Sequence, residues 1–126
     1  MDWKFRSDLP IYTQLVAQIK EGIVAGAYAP GGRLPTVREL AAEAGVNPNT
    51  VQRALQELER EGLVFSQRTA GRFVTEDARI IGEAKQALAA ELVRSFREGM
   101  EKLGCSREEI LALLKEEEET HGDSGM

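Results

Sequence analysis

Only three residues, Gly45-Val46-Asn47, separate two amphipathic segments, the second of which opens on Pro48, and this short punctuation constrains the fold more than any other feature of the chain. Gly45 can take the left-handed turn that stops a helix, while Asn47 followed by Pro48 is a cap plus first-turn proline for the next one. The upstream segment opens at Thr36, which with Glu39 three residues later forms a capping box, and Leu40, Ala41 and Ala44 supply its apolar side. The downstream helix runs from Pro48 to Glu61, and Gly62 stops it. Val51, Leu55 and Leu58 fall on one side of it, Asn49, Arg53, Gln56 and Arg60 on the opposite side, with Thr50 and Gln52 flanking near its start. Two helices joined so tightly must cross steeply, and that arrangement is a helix-turn-helix.

The flanking sequence completes a domain around this pair. Starting at Pro10, Ile11, Leu15, Ile19 and Ile23 recur at steps of four and predict a first helix that Gly26 ends. Residues 29–35, Ala-Pro-Gly-Gly-Arg-Leu-Pro, hold too much glycine and proline for a regular element and read as a turn. Beyond Gly62, Leu63-Val64-Phe65 and Phe73-Val74 are short β-type runs around a linker that contains Gly71, which predicts a two-stranded hairpin, the wing. After Thr75 the sequence turns rich in Ala, Glu, Lys and Leu. Ile81, Ala84, Leu88, Leu92, Phe96, Met100 and Leu103 mark one stripe of a long helix. Gly104 breaks it, Ser106 and Glu109 form a second capping box, and Ile110, Leu111, Leu113 and Leu114 head a last amphipathic helix before an acidic end expected to fray into disorder. The predicted fold is mostly α with a small β-hairpin: a winged helix-turn-helix domain over residues 1–76, followed by a two-helix C-terminal dimerisation tail over 77–126.

Charge decides where a polyanion could bind. The 126 residues carry a net charge of −5 with pI about 5.0, although compact nucleic-acid binders usually run basic. Through residue 76 nine Lys and Arg balance nine Asp and Glu, and the remainder carries seven against twelve, which is the whole excess. Any DNA-binding surface must therefore lie in the N-terminal part. No apolar run approaches a membrane span, and the start lacks the basic-then-apolar order of a signal peptide, so a cytoplasmic protein with no membrane partner is expected. A single cysteine, Cys105, excludes an intrachain disulfide and a metal site built on cysteine pairs. With no phosphate loop, no metal-ligand spacing and no carboxylate pair in an apolar recess, an enzyme is not expected, nor is any cofactor.

The chain resembles the GntR family of regulators. The residues that carry the resemblance are Pro10-Ile11-Tyr12-Thr13-Gln14, the run from Pro30 to Ala41 (Pro-Gly-Gly-Arg-Leu-Pro-Thr-Val-Arg-Glu-Leu-Ala), Val46 to Ala54 (Val-Asn-Pro-Asn-Thr-Val-Gln-Arg-Ala) and Leu58-Glu59-Arg60-Glu61-Gly62-Leu63, in that order and spacing. The short two-helix tail is similar to that of the YtrA-like subfamily, whose members dimerise through such a tail and lack a larger effector domain. Two departures stand out: Thr69 replaces the first glycine of the family's Gly-x-Gly wing, and Gln52 stands where several relatives carry a basic residue.

A helix of this kind fits the major groove with its N-terminal residues at the base edges. Arg53 and Gln52 are the expected base readers, since arginine pairs bidentately with guanine and glutamine with adenine. Asn49 and Thr50 are expected on phosphate, aided by the helix dipole. Arg38 faces the DNA backbone by resemblance, or pairs with a nearby carboxylate. Arg68, Gly71 and Arg72 belong to a wing suited to the minor groove, and the two arginines fit a solvated turn as well. One such helix binds weakly, so a homodimer on a palindromic operator is expected, joined through Ile81, Leu88, Leu92, Phe96, Met100, Leu103, Leu111 and Leu114. Packing of that stripe within its own subunit is the other reading. About fifty residues in two helices cannot enclose a ligand pocket of ~300 Å³ unless a dimer interface provides it, and the sequence names no small-molecule effector. The expected function is thus a DNA-binding regulator, most simply a repressor; a winged-helix module that binds protein instead is the alternative that the acidic balance favours.

Overall fold

The computed structural model describes residues 1–124, with side chains through 121. In chain order the elements are α1 (Ile11–Val24), α2 (Val37–Ala44), α3 (Pro48–Arg60), β1 (Val64–Gln67), β2 (Gly71–Val74), α4 (Ala78–Lys102) and α5 (Arg107–Ser124).

The local signals act as their chemistry requires. Thr36 Oγ1 accepts from the Glu39 N–H at 3.1 Å and Glu39 returns the bond to the Thr36 N–H at 2.9 Å, so α2 starts on a complete capping box. Gly45 closes the helix at φ +68°, a conformation that costs a side-chain-bearing residue roughly 1–2 kcal/mol. Asn47 caps α3, accepting the Asn49 N–H at 2.8 Å. Pro10 caps α1 rather than standing in its first turn.

Leu15, Ile19 and Ile23 of α1, Leu40 of α2, Val51, Leu55 and Leu58 of α3, and Leu63 and Val74 from the wing are all buried in one core. Burying each such side chain is worth about 1.5–3 kcal/mol, and this cluster fixes α3 with its apolar side inward. In the wing, β1 and β2 pair antiparallel with Val64 opposite Val74 and Gln67 opposite Gly71. The segment read as a turn does more than connect. Gly31 N–H donates to Val74 O at 2.9 Å, Val74 N–H to Gly32 O at 2.9 Å and Leu34 N–H to Arg72 O at 2.8 Å, with Arg33 bridging Phe73. This stretch therefore lies along the free edge of β2, held by backbone hydrogen bonds and one isolated bridge, while the sheet itself keeps two strands.

The first compact unit extends from Met1 to Leu88, past the composition change at residue 76. Ile80, Ile81 and Ala84, on the first turns of α4, pack against the winged-domain core. Ile81, expected at the dimer face, is half-buried against the core of its own domain, which is the other reading of that stripe at this position.

From Ala89 onward a second unit contains the rest of α4, the Gly104 turn at φ +79° and α5. Ser106 and Glu109 form the expected capping box, and its hydrogen bonds from the Ser106 backbone and side chain hold the Glu109 carboxyl below its ordinary pKa. α5 runs on through Glu116–Glu119 to Ser124, helical where fraying was expected; residues 125 and 126 lie outside the described part. None of α4 is buried, and Leu92, Val93, Phe96, Leu103, Leu111, Leu113 and Leu114 are all exposed, Leu103 to 78%. An open cleft of ≈ 650 Å³ lined by Leu92, Val93, Phe96, Ile110, Leu111 and Leu114 lies between the two helices. No described helix is long and apolar enough to cross a membrane.

Candidate nucleic-acid interface

With Val51, Ala54, Leu55 and Leu58 inward, α3 turns Asn49, Arg53 and Gln56 to solvent, and Thr50 and Gln52 line its flanks half-buried. The backbone at its start is fully used: the Asn49 N–H goes to the Asn47 side chain, and the Thr50 and Val51 N–H groups go to Asn47 O at 3.0 and 3.2 Å. Any phosphate contact made by Asn49 or Thr50 thus falls to their side chains, not to free amides.

Positions seven apart on a helix share a side. Gln52 and Glu59 share the side next to the wing. There Glu59 accepts from Arg72 Nε at 2.7 Å and from Ser66 Oγ at 2.5 Å, tying both strands to α3. Burial alone would raise the Glu59 carboxyl, but the hydrogen bonds from Ser66 and Arg72 and the guanidinium charge leave it below its ordinary pKa. Arg53 and Arg60 share the other side, where α1 packs. The Arg53 guanidinium lies over the Tyr12 ring, 4.5 Å from its centroid, and Arg60 pairs with Glu57, an interaction that lowers the Glu57 carboxyl and raises the Arg60 guanidinium.

The ion pairs leave some cations of the domain without a carboxylate partner. Lys20, Arg60 and Arg72 neutralise Glu61, Glu57 and Glu59, the acidic run at the end of α3 and just beyond it. Arg33, Arg38, Arg53 and Arg68 have no ion pair within 4 Å among the described residues and are all exposed. Arg38 stands in the first turn of α2 and Arg68 at the tip of the wing. Arg33 lies against Gly71, where a Cβ would come within 3.1 Å of its Nε, at a small cleft shared with Thr36 and Val37.

The Bacterial regulatory proteins, gntR family model matches residues 11–74, from the start of α1 to the end of the wing. The chain belongs to this family. Among relatives, the HTH-type transcriptional repressor YtrA of Bacillus subtilis is 38% identical over 112 residues, 88% of this chain and 86% of its own length. A solved GntR family transcriptional regulator from Listeria monocytogenes is 41% identical, covers 89% of this chain and 98% of its own, and superposes with a TM-score of 0.82. AraR(DBD), solved in complex with operator ORX1, is 30% identical with a TM-score of 0.55, covering 60% of this chain and 96% of its own. This chain is accordingly a GntR regulator of the YtrA-like kind, a winged-helix protein and not an enzyme.

Within this GntR domain the residues expected at the interface divide into three groups. Asn49, Gln52 and Arg53 stand together on α3, with Thr50 on the opposite flank. Arg38 and Arg68 are exposed and unpaired. Arg72 differs from the expectation: it is mostly buried and committed to Glu59, so it holds the wing in place. Thr69, at the position of the family's first wing glycine, fits a turn in which no non-glycine residue has positive φ, while Gly71 takes φ +102°. Sequence reasoning missed Arg33 and Tyr12. Arg33 carried a weak signal, a lone cation within a Gly-Pro segment, whereas the role of Tyr12 depends on a stacking partner forty-one residues later and left no local trace.

Proposed function

We propose that this protein is a transcriptional repressor that binds a palindromic operator as a homodimer, with α3 of each subunit in the major groove. The observation that carries the reading is the exposed polar side of α3, Asn49, Arg53 and Gln56, with half-buried Gln52 on its flank and the unpaired cations Arg33, Arg38 and Arg68 around it. Gln52 and its outward neighbours contact bases; Arg38 and Arg33 take phosphates beside them; Arg68 on the wing reaches the minor groove or its phosphates. Repression follows the named activity of YtrA, and operator binding follows AraR(DBD).

The dimer rests on the C-terminal unit. A face that leaves Leu92 70% and Leu103 78% exposed costs about 25 cal/mol for each Å² of apolar surface kept in water. A second copy of the same unit covers such a face with an identical one, and Leu92, Phe96, Leu103, Leu111 and Leu114 are placed to meet it. Leu88 and Met100 are half-buried and stand at its margin. The ≈ 650 Å³ cleft belongs to this face, so the partner subunit is its occupant in this reading.

Footprinting on the DNA upstream of its own gene, followed by anisotropy titration of the protected duplex at several salt concentrations, tests the function. Salt-sensitive, sequence-dependent binding with a two-fold protected site supports it. Absence of any binding at low salt would refute the DNA-binding reading and support the alternative, a protein-interaction module, which the −5 net charge favours. Sedimentation of a Leu92→Glu, Phe96→Glu variant tests the dimer, with a monomer expected.

A further inference from the structure

We infer that Tyr12 is a positioning residue that turns Arg53 toward the DNA backbone, so that base discrimination by α3 falls on Asn49, Gln52 and Gln56. The inference deepens the proposal that α3 enters the major groove and rests on it.

A helix lying in the major groove meets base edges along its outward line and a phosphate strand along each flank. On α3 Asn49 and Gln56, seven apart, define an outward line, with half-buried Gln52 beside it toward the wing and exposed Arg53 beside it toward α1. The Arg53 guanidinium is laid on the ring of Tyr12, 4.5 Å from the centroid, from the first turn of α1. Arginine reads guanine by extending away from the helix with both edge N–H groups aimed at O6 and N7. A guanidinium stacked on a neighbouring helix is turned to the flank instead. Its face is covered by the ring while its edge donors stay open, and it has no carboxylate within 4 Å to hold them.

Tyr12 suits this task because its ring is half-buried and packed against the core that fixes α1 to α3, so it presents a platform to a side chain with many rotamers. Arg60, two turns further on the same side, also lies within the electrostatic reach of Tyr12 but is already paired with Glu57. Of the two guanidiniums beside Tyr12, Arg53 is thus the one left for a ligand, and a phosphate oxygen is the acceptor its edge donors fit.

The test uses the full chain and the tightest duplex recovered from a randomised pool, together with its single-base variants and an unrelated duplex. Arg53→Ala should weaken all of these alike, roughly tenfold, and lower the salt slope by about one. Tyr12→Leu should weaken binding about two- to fivefold when Arg53 is present and have no effect in the Arg53→Ala background, while Tyr12→Phe, which keeps ring and packing, binds as the parent does. A change in base preference with Arg53→Ala, or an equal Tyr12→Leu loss in both backgrounds, overturns the inference. If Arg53→Ala and Gln52→Ala both leave every duplex bound as before, the groove-binding reading itself fails. Thermal transitions of each variant show whether folding has been kept.

Discussion

Arg72 separates two ways of reading the wing, as a hand on the DNA or as a part bolted to α3. Its Nε lies 2.7 Å from Glu59 Oε1, and the two side chains are only 20% and 29% exposed. At an effective dielectric of 20, unit charges 4 Å apart attract by ~4 kcal/mol, from which desolvation and side-chain ordering must be subtracted. Fully exposed pairs retain ~0–1 kcal/mol; a pair this shielded, with Ser66 sharing the carboxylate, should retain about 1–2 kcal/mol. Arg72→Ala also strips the aliphatic stem from the wing. We expect it to cost about 2 kcal/mol, and each kcal/mol should move the midpoint of the Met1–Leu88 unit by roughly 4–8 °C. A double-mutant cycle of Arg72→Ala and Glu59→Ala, followed by urea denaturation at one fixed protomer concentration, measures the coupling directly. The salt slope for DNA should stay nearly unchanged in Arg72→Ala, since a cation already paired releases no counterion from DNA. Coupling below ~0.3 kcal/mol, joined to a slope lowered by about one, would refute this reasoning and return Arg72 to the phosphate contacts.

Three other outcomes are expected from the same geometry. Leu55→Ala removes a fully buried side chain at the centre of the core and should cost 2–5 kcal/mol, read from urea midpoints, with DNA binding lost in proportion to the unfolded fraction. Gly71→Ala combines φ +102° with a Cβ 3.1 Å from Arg33 Nε; a loss of about 1–2 kcal/mol should appear in thermal unfolding, and none would show that the wing yields freely. The carboxyl of Glu59 is depressed in the fold below its ordinary 4.5, so the stability it contributes is present above that value and disappears as pH falls below it. Urea midpoints should therefore drop from pH 6 to pH 3.5, and by less in Glu59→Gln.

How much was legible in the sequence depended on the distance over which each feature is decided. The α2–turn–α3 unit was readable because its capping box, Gly45 and the Asn47-Pro48 start act within four residues. The edge pairing of Gly31–Leu34 with β2 was not, because its partners are some forty residues later and its own Gly-Pro content signals only a bend. Arg68 and Arg72 looked alike, and only Glu59, placed by the fold, tells them apart. The end of the winged domain failed for a similar reason. Composition changes after Thr75, yet Ile80, Ile81 and Ala84 belong to the core, and Ile80 lies 3.6 Å from the position a Cβ would take on Gly62. A heptad-like stripe reads the same whether it is covered by its own domain or by a partner. The two boundaries make different molecules. Half-burial of two isoleucines and an alanine is worth about 2–3 kcal/mol, a large fraction of the 5–15 kcal/mol that holds a typical domain together. A fragment ending at Leu88 should therefore unfold cooperatively as a monomer, and one ending at Glu76 should have a urea midpoint lower by that amount divided by its slope. Equal midpoints for the two fragments would show that the first turns of α4 only lean on the domain, and would restore Ile81 to the face that a second subunit covers.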